Sequence, residues 1–114
     1  WFMRFWVDEN LLTVDKNAFA EALVAEGIPV AASYRHIPSE AEWFRKRCVF
    51  PGSDYPWGSP EYQGDRTAQF PCPNVVAAAE SHFVLFIHEN FTDREVADIA
   101  TAFGKVERAY LRRR

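Results

Sequence analysis

The stretch from Phe83 to Tyr110 constrains the fold more than any other part of this chain. Phe83-Val84-Leu85-Phe86-Ile87 is apolar at every position, too apolar for a half-exposed strand, so both faces of a strand here must be covered. Thr92 and Glu95 then spell a capping box, in which the hydroxyl takes a free backbone N–H and the carboxylate reaches back to the cap. Beyond it, Val96, Ile99, Ala100, Phe103, Val106 and Tyr110 fall at helical spacing and build one apolar stripe. A buried strand followed by a one-sided helix requires a layered structure, with sheet on one side and helices on the other.

The upstream half supplies the partners. Trp1, Met3, Phe5 and Val7 alternate with Phe2, Arg4, Trp6 and Asp8, which predicts a strand with one strongly apolar face and a second that is partly covered. Asp15 is placed to cap a helix running to about Glu26, and Gly27 to end it as a left-handed residue followed by Ile28 and Pro29. Val30–Tyr34 reads as a second strand. From Arg35 to Phe70 the periodicity largely fails. Ser39 and Glu42 suggest another capping box and a short helix to about Arg47. Pro51-Gly52-Ser53-Asp54, Pro56-Trp57-Gly58 and Gly64-Asp65 are turn chemistry. So long an irregular loop in a compact domain is usually functional or a docking surface, and Tyr55, Trp57, Tyr62 and Phe70 give it aromatic anchors. Pro71-Cys72-Pro73 opens a helix to Ser81, with Pro73 suited to its first turn. The expected fold is α/β in the α+β sense: a two-layer sandwich with a small, mostly antiparallel sheet of about three strands, packed by helices and carrying a long irregular aromatic loop.

With 114 residues the chain is long enough for one domain and short for two. Aromatic residues make up 16 % of it, a high load for a domain this small. Either the core is unusually large or some of that surface docks onto another body. A formal net charge of −3 argues against nucleic acid as the main partner, and Arg112–Arg114 suits the carbonyl end of the last helix. Cys48 and Cys72 lie far apart and form no CxxC, so we expect free thiols in a cytoplasmic protein. No apolar run approaches a membrane span. Trp1 already lies inside a predicted strand with no initiating Met, which leads us to expect a fragment of something longer.

No self-sufficient catalytic constellation is visible. His82 and His88 flank the buried strand about 20 Å apart at ~3.3 Å per residue, too far for one metal. No HxxxH, HxH or CxxH spacing supports a site, and no glycine-rich phosphate loop is present. The most polar cluster at a strand end is Tyr34-Arg35-His36, which leads into the irregular loop, where ligand groups tend to sit. There Arg35 could hold a carboxylate or phosphate through two parallel hydrogen bonds; the structural alternative is that it pairs with a nearby Glu.

Ala25-Glu26-Gly27-Ile28-Pro29-Val30, Tyr34-Arg35, Cys72-Pro73-Asn74 with Ala79-Glu80, Leu85 to His88, and Thr92-Asp93-Arg94-Glu95 together resemble the C-terminal domain of the DegT/DnrJ/EryC1/StrS aminotransferases. These enzymes have the aspartate-aminotransferase fold, depend on pyridoxal 5'-phosphate (PLP) and aminate keto-sugars or cyclitol-like ketones. The resemblance implies that residues 1–114 are the small domain of such an enzyme, serving as lid and wall of its cleft. It implies PLP held by an N-terminal large domain outside this sequence, a homodimeric parent, glutamate or glutamine as amino donor and a sugar-like acceptor. By position it nominates Tyr34, Arg35, His36 and His88 as substrate-binding residues and none as catalytic or cofactor-binding. Lys16 and Lys105 are expected on surface helices and Lys46 in a short charged one, none of them catalytic. The chain departs from the family in carrying Val84-Leu85-Phe86 where many members have Ser-Leu-Pro, and its loop Arg47–Phe70 follows no family pattern. The alternative reading is a stand-alone, non-enzymatic α/β module for a ligand or partner, or a lysine-less regulatory homologue.

Overall fold

The computed structural model describes residues 1–113 as two compact units. The first comprises Trp1–Tyr34 and the chain from Ala78, and the second Arg35–Ala77.

In the first unit the strands are β1 (Phe2–Trp6), β2 (Val30–Ala31) and β3 (His82–Phe86), in the order β1-β3-β2 and antiparallel throughout. The apolar run therefore becomes the central strand, with Phe83 and Leu85 buried on one face and Val84 and His82 on the other. Its register pairs Phe2 with Phe86 and Trp6 with His82 on β1, and Val30 with Leu85 on β2. The second strand is shorter than the expected Val30–Tyr34. After Ala31 the next carbonyl, Ala32, accepts a hydrogen bond from the Lys16 ammonium at 2.6 Å and the chain leaves the ladder.

Helix α1 (Lys16–Ala25) starts where the sequence predicts, with the Asp15 carboxylate accepting from the Ala18 N–H at 2.8 Å. It ends in a Schellman motif. Gly27 has φ +84, its N–H bonds to the Val24 carbonyl, and the Ile28 N–H bonds to the Leu23 carbonyl at 3.0 Å. Among the residues packed between the sheet and the helices are Phe19, Leu23, Ile28, Phe83, Ala102 and Val106. Within it Phe5, Phe19 and Phe103 all lie within about 6 Å of the Phe83 ring, at separations typical of favourable aromatic pairs.

The last and longest helix, α4, follows α2 (Glu42–Arg45) and α3 (Pro73–Glu80) in the chain, spans Asp93–Tyr110 and opens with the capping box the sequence predicts. The Thr92 N–H donates to Glu95 at 2.8 Å. At its far end Leu11–Thr13 clasps it: Thr13 N–H donates to the Tyr110 carbonyl and Arg112 N–H to that of Leu11, both at 2.8 Å. Lys105 joins α4 to α1 through the Glu26 carboxylate at 2.7 Å. The result is an α+β fold with helices on a small three-stranded antiparallel sheet.

The second unit holds one turn of 3-10 helix (Pro38–Glu40) and α2 (Glu42–Arg45). The capping box expected at Ser39 and Glu42 does not form: Ala41 is the N-cap, without a side-chain bond. Ser39 turns to the Cys72 thiol at 4.0 Å, and Glu42 pairs instead with Lys46 one turn on. Pro51-Gly52 makes a turn closed by Ser53 N–H on the Phe50 carbonyl, with Gly52 at φ +74, as a type II turn requires. Trp43, Phe44, Trp57 and Phe70 form an aromatic cluster in which the Arg47 guanidinium lies 4.2 Å from the Phe44 ring centre and 5.2 Å from that of Trp57. Arg47 also donates to the carbonyls of Phe44, Arg66 and Ala68, so one side chain ties together three turns of a segment with almost no regular structure. Helix α3 (Pro73–Glu80) runs across the division between the two units.

Candidate functional site

An apolar hollow lies within the first unit. It is a groove of about 840 Å³ between the sheet and α4. Met3, Phe5 and Leu85 form its sheet wall; Val96, Ile99 and Phe103 form its helical wall. The cause lies in α4 itself. Ala102 and Val106, in its C-terminal half, are buried in the core, whereas Val96 near its start is 56 % exposed. The apolar stripe is thus longer than the core it serves, and its surplus faces Met3, itself 51 % exposed. Among the described residues that line it, the ionisable side chains are those of Asp8, His88 and Glu107.

His88 is the one sequence-nominated residue in this groove. It lies just beyond β3, where its Nδ1 accepts the Asn90 N–H at 3.2 Å and its ring sits 6.4 Å from that of Phe91. Tyr34 packs its ring against Phe2 of β1 at 4.6 Å and lines none of the hollows described here. His82, by contrast, is a core residue whose Nε2 has no hydrogen-bond partner among the described residues.

Arg35 and His36 come together in the second unit, where they line a hollow of about 390 Å³ with Pro38, Glu40 and Trp43. Glu40 accepts from two nitrogens on one edge of the Arg35 guanidinium, Nε at 3.1 Å and Nη2 at 2.9 Å. Arg35 also borders a neighbouring hollow of about 500 Å³ with Ser39, Arg45 and Cys72. The ion pair fixes the guanidinium plane and offsets its charge, which is the structural role the sequence allowed for it.

PLP needs a lysine amine, and none of the three lysines offers one. Lys16 is buried, not on the surface as expected, and its Nζ donates to the carbonyls of Ala32 and His82. Lys46 is paired with Glu42, and Lys105 with Glu26. Among the described residues no group of three or more His, Cys, Asp or Glu could hold a metal ion, and no helix is long and apolar enough to cross a membrane. These residues alone do not fit the cofactor.

The residues that sequence reasoning missed are those of the groove, above all Met3, Val96 and Ile99. Their signal was present in the surplus length of the α4 stripe and in the apolar face of β1. Compared with known proteins, the chain matches no family model, no curated protein and no solved structure.

Proposed function

We propose that this chain is the small domain of a PLP-dependent aminotransferase of the DegT/DnrJ/EryC1/StrS type, working in the cytoplasm on a keto-sugar or cyclitol-like ketone. In this reading PLP and its lysine belong to a large domain elsewhere in the protein, and the parent is a homodimer. The observation that carries the reading is the open groove: an apolar face of this size on a small domain is built to be covered. The second support is the pair Arg35 and His36 in one hollow, where a guanidinium held flat by Glu40 is pre-oriented for the carboxylate of a glutamate or glutamine donor. The third is that every lysine is already engaged, which leaves this chain the work of binding and excluding water while another domain supplies the covalent chemistry. When bound there, PLP would act as the electron sink that lets the amino group move.

The test is an absorption spectrum of the full-length protein, with and without glutamine. A PLP band that changes to the pyridoxamine form when the donor is added supports the reading; no bound chromophore, even after adding PLP, contradicts it. The groove also favours a second reading, a non-enzymatic module that takes an apolar ligand or partner. That reading gains if the protein binds no PLP.

A further inference from the structure

We propose that the outer edge of β1 pairs with the same edge of a second copy of this chain, joining two three-stranded sheets into one. This rests on the sheet alone and is independent of the enzymatic reading. The Ile87 N–H donates to the Trp1 carbonyl at 2.8 Å, and the Trp1 amino group donates to the Ile87 carbonyl at 2.9 Å. Bonding alternates along an antiparallel pair, so Met3 and Phe5 turn their backbone groups toward β3. Phe2, Arg4 and Trp6 then turn theirs outward. β1 is an edge strand, and among the described residues those outward groups have no backbone partner.

Exposed edges of this kind template further strands unless they are protected. Charge is the usual protection, and Arg4 is the only charged residue of β1, with its guanidinium 5.6 Å from the centre of the Phe2 ring. A two-fold axis makes the contact isologous, each patch meeting itself. The side-chain pattern then selects the register. Setting Arg4 against Arg4 of the second copy would oppose like charges. Shifting by one dipeptide sets Arg4 against Trp6 of the second copy, a cation over an aromatic face, and sets Phe5 against Phe5 on the groove side. Trp6 is 69 % exposed and gains a neighbour in that arrangement. The shift keeps the apolar faces of both sheets on one side, so the two grooves become continuous.

The experiment is sedimentation velocity of the wild type and Arg4→Pro across a dilution series, with circular dichroism as the check on folding. Proline is tolerated where the lost N–H points away from the ladder. We expect a concentration-dependent dimer for the wild type and a folded monomer for Arg4→Pro. Amide hydrogen exchange on the wild type gives an independent readout: the Phe2, Arg4 and Trp6 amides should gain protection as the dimer forms. That readout decides alone if Arg4→Pro fails to fold. A wild type that stays monomeric overturns the proposal, as does an Arg4→Pro variant that still dimerises. So does a dimer that protects α4 and leaves those three amides exchanging as in the monomer, since it would place the second copy in the groove instead.

Discussion

Lys16 carries an ammonium into the interior of the first unit, where two carbonyls receive it. Ala32 and His82 close the ends of β2 and β3, so this one side chain ties the start of α1 to the sheet. Truncation would leave both carbonyls without their donor. Lys16→Ala is expected to cost about 1–3 kcal/mol, the usual penalty for orphaning a buried polar partner, measurable as a lower urea midpoint. Nothing in the sequence revealed this role: a lysine following a helix cap reads as solvent-facing, and only the meeting of two strand ends above it makes it internal. Arg35 was more legible, because its partner Glu40 stood only five residues away. On the proposed function, in which Arg35 binds the amino donor, Arg35→Ala in the full-length protein should raise KM for glutamine about tenfold or more, since a hydrogen bond to a charged group is worth roughly 1.5–3 kcal/mol. An unchanged KM would remove Arg35 from the site.

Elements with local signals came out as their residues dictate. The cap and Schellman stop of α1 and the box at Thr92 all need only neighbouring residues, and all formed. Thr92→Ala should destabilise the fold by about 1 kcal/mol, as N-cap losses do, in a chemical denaturation series. The Thr92 hydroxyl, and after it the Thr92 N–H, hold the Glu95 carboxyl below its ordinary value of 4.5. Its contribution is therefore present above that pH and is lost as pH falls through the lowered folded value. The stability gap between the wild type and Glu95→Ala should shrink on acidification below about 4.5, and a gap that widens would contradict the assignment. Where local signals compete, the sequence misled. Ser39 and Glu42 have box spacing, yet each finds a better partner, Cys72 for one and Lys46 for the other. The far end of β2 is lost because its next carbonyl is claimed by a helix residue sixteen positions earlier.

For the whole molecule, the high aromatic content has two destinations. Part of it builds the Phe5–Phe83–Phe103 stack of the first unit. Part builds the cluster around Arg47, whose existence no periodicity could announce because its members meet only through turns. The layered α+β plan was readable from the buried strand and the capped helix. The groove was readable only as a surplus, more apolar stripe on α4 than one sheet can cover. On the proposed function, this surplus is a face built to be covered by another body. The most direct measurement is fluorescence of the apolar dye ANS with the wild-type chain and with Val96→Asp, a change near the start of α4 where an acid suits the helix dipole. We predict strong dye enhancement by the wild type and a marked loss in the folded variant. A wild type that leaves the dye dark, or a variant that binds it equally well, would mean that the α4 surplus is not an open apolar face.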